Sequence, residues 1–162
     1  MRLRAVVAIA MVLVMGCCWS AAAAQSGAPA ATNTYAQKLV DEFTAKHVRL
    51  ISMGIHAKAP NSSEYFIVAH TITKNIGKKS EEEDLVTMRT GKPDGPNDLG
   101  GGIYDVIMPL HDASGQTIGA AVVHVKPGPG DPKAEAMKLA LEYRDELAKQ
   151  IPSNAKLFES TN

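Results

Sequence analysis

The spacing of apolar residues changes several times along this chain, and each spacing predicts a different element. Ala5 to Gly16 is an unbroken apolar run without charge. Thr34 opens an amphipathic stretch in which Tyr35, Leu39, Val40, Phe43 and Val48 recur at helical spacing, and Gln37 completes a capping box with Thr34. The spacing predicts a helix to about Arg49. Leu50 to Ala57 then alternates, with Ile51, Met53 and Ile55 on one face and Ser52, Gly54 and His56 on the other, which is the period of a strand. Lys58 to Ser63 breaks it, and Tyr65 to Ile72 is dense in aromatic and β-branched residues, predicting an antiparallel partner.

Ser80 followed by Glu81, Glu82 and Glu83 reads as an N-cap with acidic charge at the positive end of a helix dipole. A short helix from Glu81 to about Thr90, closed by Gly91, is expected. Lys92 to Gly102 is so rich in Pro, Gly, Asp and Asn that it reads as a loop, a lid or a pocket rim. Ile103 to Leu110 and Thr117 to Val125 are the clearest strands, joined by His111 to Gln116 with Gly115 suited to positive φ. Asp131 caps a final helix with Pro132 at its first position, and Met137, Ala140, Leu141, Leu147, Ala148 and Ile151 form its buried stripe.

The first apolar run, about a dozen residues, is shorter than the roughly 20 that a spanning helix needs. Arg2 and Arg4 precede it and Trp19-Ser20-Ala21-Ala22-Ala23-Ala24 follows, the order of a cleaved secretory signal. Residues 1–24 are therefore expected to be a signal peptide, 25–33 a flexible leader, 34–155 a single domain and 156–162 a C-terminal tail. A rival reading takes Val14-Met15-Gly16-Cys17 as a lipoprotein box acylated at Cys17. Either way the domain is expected outside the cytoplasm, in the periplasm. The two cysteines, Cys17 and Cys18, lie in that segment, so cleavage after Ala24 leaves no disulfide, thiolate metal site or cysteine nucleophile.

Cleavage there also removes Arg2 and Arg4, so the 17 basic residues fall to 15 against 17 acidic ones. No basic field for nucleic acid results. The 138 remaining residues make one ordinary domain.

The hairpin Ile103-Tyr104-Asp105-Val106-Ile107-Met108-Pro109-Leu110-His111-Asp112-Ala113-Ser114-Gly115-Gln116-Thr117-Ile118-Gly119-Ala120-Ala121-Val122-Val123 resembles the last hairpin of extracytoplasmic Cache domains, relatives of PAS domains. Its Pro-Leu pair, Asp-x-x-Gly turn and returning Ile-Gly-Ala carry the likeness, together with the order of elements. The resemblance implies an α+β fold with an antiparallel four- to five-stranded sheet, packed by long N- and C-terminal helices. It also implies a small metabolite held between the sheet and the short helix with its loop. No membrane helix or output domain is expected after the final helix, so the chain reads as a free sensor or an accessory subunit. Its partner would be a membrane receptor or a second copy. No carboxylate-binding motif of the family maps onto Arg89 to Tyr104, which leaves the ligand open.

Arg89, Lys92, Tyr104 and Asp105 flank the Gly-rich segment, where a guanidinium, an ammonium and a phenol would converge on a ligand carboxylate. With His56 they form the expected site for an anionic metabolite. The alternative is that Arg89 and Lys92 are solvated charges at a helix end. His56, His70 and His124 each fall in a predicted strand, and a shared face would suit haem or a metal. Their spacing contains no His-x-x-x-His pair, and hydrogen-bonded structural histidines are the commoner case; His47 and His111 read as surface groups. Asp94, Asn97 and Asp98 lack the closing Glu of a calcium loop. No Gly-x-Ser-x-Gly elbow, phosphate loop or His-Glu-x-x-His occurs, so a non-enzymatic module without a cofactor is expected. A protein-interaction module is the remaining alternative.

Overall fold

The computed structural model describes residues 32–161, so the signal peptide, the Cys17 alternative and most of the leader lie outside the described residues. Among these, three helices and five strands follow in the order α1 (Tyr35–Lys46), β1 (Leu50–Ala57), β2 (Phe66–His70), α2 (Glu82–Thr90), β3 (Asp94–Gly100), β4 (Ile103–His111), β5 (Thr117–Val125) and α3 (Pro132–Ala148). All strand pairs are antiparallel, in the order β2-β1-β5-β4-β3. The fold is α+β on one five-stranded antiparallel sheet.

Period two splits the sheet into unlike faces. Met53, Ile55, Val106, Met108, Val123 and Val125 point to the hydrophobic core, all but inaccessible to solvent. Helix α1 contributes Leu39, Val40 and Phe43 to that core, and α3 contributes Ala136, Ala140 and Leu147. Phe43 meets Tyr143 edge to face with ring centroids 5.8 Å apart. The other face carries Ser52, Gly54 and His56 and is crossed by α2, which packs on β4 and β5.

Several expectations need correction. Helix α1 ends at Lys46 because His47 turns extended, with ψ 94°. Thr34 accepts the Gln37 amide as a cap, but the Gln37 side chain does not return to complete the box; it reaches His70 instead. His47 is no surface group: its ring lies 4.3 Å from Phe43 and 4.5 Å from Tyr143 between centroids. Ile51 is 43% exposed because a register shift between Leu50 and Ser52 takes it off the core face.

The expected loop Lys92–Gly102 contains an edge strand. Strand β3 pairs with β4 through two irregularities, and Gly101 and Gly102 turn the chain at φ 64° and 73°. Two successive positive φ values are what a tight type I′ hairpin requires. The expected tail is also folded: Leu157 is fully buried in the core, and Ser160 bridges Thr34.

Candidate functional site

On the sheet face beneath α2, strand pairing brings distant residues together. Gly54 stands opposite both His70 on β2 and Val122 on β5, while His124 on β5 stands opposite Ser52 and Asp105. Alternation places His56 beside Gly54 on the same face. His56, His70, His124 and Asp105, with Asp84 of α2 and Lys78 of the preceding turn, line a cavity of about 320 Å³. Ile67, Ile107 and Val122 give it an apolar floor. Gly54 has a steric role: a Cβ there would stand 3.0 Å from Cδ2 of His70 and 3.6 Å from Nε2 of both His56 and His70. The bare backbone leaves room for the two imidazoles to approach one another.

Each histidine is held differently. Nδ1 of His56 lies 3.0 Å from Oδ2 of Asp84 and 3.0 Å from Oγ of Ser80. The same Asp84 oxygen accepts the Glu81 amide at 2.8 Å, so one carboxylate caps α2 and orients the ring. Glu81, not Ser80, is the N-cap. Both His56 and Asp84 are buried.

On His70 the pattern reverses. Its Nδ1 accepts the Ile72 amide at 2.8 Å. Its main chain is gripped from α1 by Gln37, whose Oε1 accepts the His70 amide at 3.0 Å and whose Nε2 donates to the His70 carbonyl at 3.2 Å. Burial lowers the His70 pKa from 6.5, and His56, His124 and Lys78 depress it further. At the rim, Nε2 of His124 lies 3.4 Å from Oδ1 of Asp105, an oxygen that is buried and accepts no hydrogen bond. The cavity lining holds Lys78 and Lys79 against Glu81, Asp84 and Asp105, and Lys79 is already paired with Glu64.

Of the five residues expected to bind ligand, His56 and Asp105 line this cavity and Arg89, Lys92 and Tyr104 do not. Tyr104 precedes Asp105 on one strand, so the two must face opposite ways; Tyr104 is 7% exposed and sits in the core. Arg89 is exposed and donates to Oε1 of Glu82 on its own helix at 2.9 Å. Lys92 lines a separate hollow of about 400 Å³ between α2 and the start of β3. His70, His124 and Asp84 were outside that set, although three strand histidines with a common face were the signal that pointed to them.

Among the described residues no group of three or more His, Cys, Asp or Glu is placed to hold a metal ion. The hydrogen bonding of His70 also opposes metal ligation. A ligating imidazole ordinarily donates from its second nitrogen, whereas His70 uses Nδ1 to accept the Ile72 amide. Metal coordination through Nε2 would break that bond.

No protein-family model matches this chain, and no curated protein sequence matches it significantly. Solved structures that resemble it include the following two. A proposed GAF sensor protein from Burkholderia vietnamiensis aligns at 13% identity over 74% of this chain and 76% of its own, with a TM-score of 0.48. A far-red cyanobacteriochrome photoreceptor aligns at 17% identity over 69% and 81%, with a TM-score of 0.41. Likenesses this weak define neither the fold family nor the ligand. What the coordinates define is an α+β domain with a polar hollow between a short helix and one sheet face.

Proposed function

We propose that this chain is a small-ligand-binding sensor module of the PAS, GAF and Cache kind, whose ligand sits between α2 and the sheet. The observation that carries this reading is the convergence of His56, His70 and His124 from three strands, with Asp84 from α2, on one cavity. Core positions on that face would be aliphatic in a purely structural sheet. Here they are polar groups, and one of them, Oδ1 of Asp105, is buried without a hydrogen bond. The module would work in the periplasm by binding and not by catalysis, with a membrane receptor or a second copy reading the bound state.

The anionic ligand expected from Arg89 and Lys92 gives way to a neutral polar one. Two lysines facing three carboxylates, with Lys79 committed to Glu64, do not make an anion clamp.

A thermal-shift screen of the purified protein against small amides, amino acids, organic acids and haem tests the reading, because a compound that binds only the folded form raises its melting temperature. Stabilisation that disappears in His56→Ala and persists in Arg89→Ala supports this cavity. Stabilisation lost in Arg89→Ala alone would move the site to the helix end.

A further inference from the structure

We propose that His56 and His70 form a fixed acceptor and donor pair, and that the site takes ligands carrying an N–H and a C=O side by side, such as a lactam or amide edge. This rests on the ligand-binding reading above and names the ligand chemistry for it.

The polarity follows from the partners on the far side of each ring. Oδ2 of Asp84 already accepts the Glu81 amide, so it stands as an acceptor toward Nδ1 of His56 at 3.0 Å. Nδ1 must therefore carry the proton. The neutral ring then presents a bare lone pair at Nε2. For His70 the backbone decides. The Ile72 amide can only donate, so Nδ1 of His70 is the acceptor at 2.8 Å and the proton resides on Nε2. The Asn75 amide nitrogen, 3.4 Å from that Nε2, is a neighbour and not its donor; the Asn75 oxygen is taken by Nζ of Lys78 at 2.7 Å.

Both Nε2 atoms lie 3.6 Å from the point where a Gly54 Cβ would stand, so they can be no more than about twice that distance apart, within the reach of one small ligand. A carboxylate satisfies only the His70 side, because it has no proton for His56. An ammonium satisfies only the His56 side. A cis N–H/C=O edge satisfies both, and Ile107 and Val122 suit the flat apolar body of such a molecule.

The test uses the whole purified protein and two readouts. Nitrogen-15 and proton spectra of the imidazoles in the free protein, at mildly alkaline pH, are expected to show His56 as the Nδ1–H tautomer and His70 as the Nε2–H tautomer. The reverse assignment for either ring overturns the proposal. The binding arm compares 2-pyridone with N-methyl-2-pyridone, which lacks the donor. Both ring signals are expected to move with 2-pyridone, and the methylated compound is expected to bind about tenfold more weakly or worse, the loss of a buried hydrogen bond. Equal affinity, or no response to 2-pyridone at millimolar concentration, overturns the pairing. If another compound from the thermal screen still binds this cavity, only the ligand class fails; if none stabilises the protein, the ligand-binding reading fails with it.

Discussion

Replacing Asp84 separates a hydrogen-bonding role for its carboxylate from a charge-pairing one. Both of its contacts, the Glu81 amide at 2.8 Å and Nδ1 of His56 at 3.0 Å, end on a single oxygen, Oδ2. Asp84→Asn can put its carbonyl oxygen in that place and keep both bonds, so only their charge assistance is lost. A cost of about 1 kcal/mol is expected. Asp84→Ala removes the acceptor of the Glu81 amide in the capping box, about 1 kcal/mol, and strips a buried imidazole N–H of its main acceptor, a further 1–3 kcal/mol or so. Oγ of Ser80, 3.0 Å from the same nitrogen, replaces part of that loss. A total of about 2–3 kcal/mol follows, a sizeable share of the roughly 5–15 kcal/mol that holds a domain together. Urea unfolding of the two variants beside the parent protein measures both values. If Asn costs as much as Ala, His56 is held as a cation by charge, and the neutral acceptor assigned to its Nε2 is wrong.

Gly54→Ala places a methyl 3.0 Å from Cδ2 of His70, so that ring must shift; a net cost of about 1 kcal/mol and loss of ligand-induced stabilisation are expected. Unchanged ligand response would show that the ring spacing is unimportant. Gly119→Ala is expected to cost about 3 kcal/mol or more, since its Cβ would overlap the His56 carbonyl oxygen, which is backbone and cannot rotate away; near-parental urea stability would refute the β1–β5 register. The lowered pKa of His70 makes stability pH-dependent: the unfolded ring, near 6.5, takes its proton before the folded one. Stability is therefore complete above about 6.5, falls as the pH drops below that value, and levels off once the folded ring is protonated as well. Urea midpoints across that window, compared with His70→Gln, check the sign, and an identical slope in both proteins removes His70 as the cause.

The elements built on strong periodicity were legible because local pattern and tertiary demand agree in them. In β5 and β4 alternating apolar residues meet a core, and in α3 Asp131 caps with its side chain on the Lys133 and Ala134 amides. Strand β3 was not legible, because Asp94, Gly95, Pro96 and Asn97 are all poor strand formers. An edge strand tolerates them: Pro96 has no amide to offer, and only one side of β3 needs a partner. The signal available was the Gly101-Gly102 pair directly before a strong strand. The site was half legible. Ser52, Gly54 and His56 stand out as a polar stripe on a strand whose other face is apolar. Which polar residues would oppose that stripe depended on register, and register pairs Gly54 with His70 and Ser52 with His124 across long sequence separations. Grouping Tyr104 with Asp105 overlooked the same period of two that had identified the strand.

The unequal faces of the sheet also bear on how binding would be read out. The core face is sealed by aliphatic residues of α1 and α3, whereas α2 buries only Asp84 and Thr87, and Val86 is 40% exposed. A helix that fully buries no large apolar side chain opens at lower free energy than one locked into a core. A ligand bridging His56 and His70 beneath α2 would favour the closed position to the extent that it contacts Asp84 or α2 only there, since equal affinity for both positions shifts nothing. Hydrogen exchange at the amides of α2, measured with and without a stabilising compound, decides the point. Selective slowing in Glu82–Thr90 is expected, and uniform slowing across the domain would mean that the ligand stabilises the fold without moving α2.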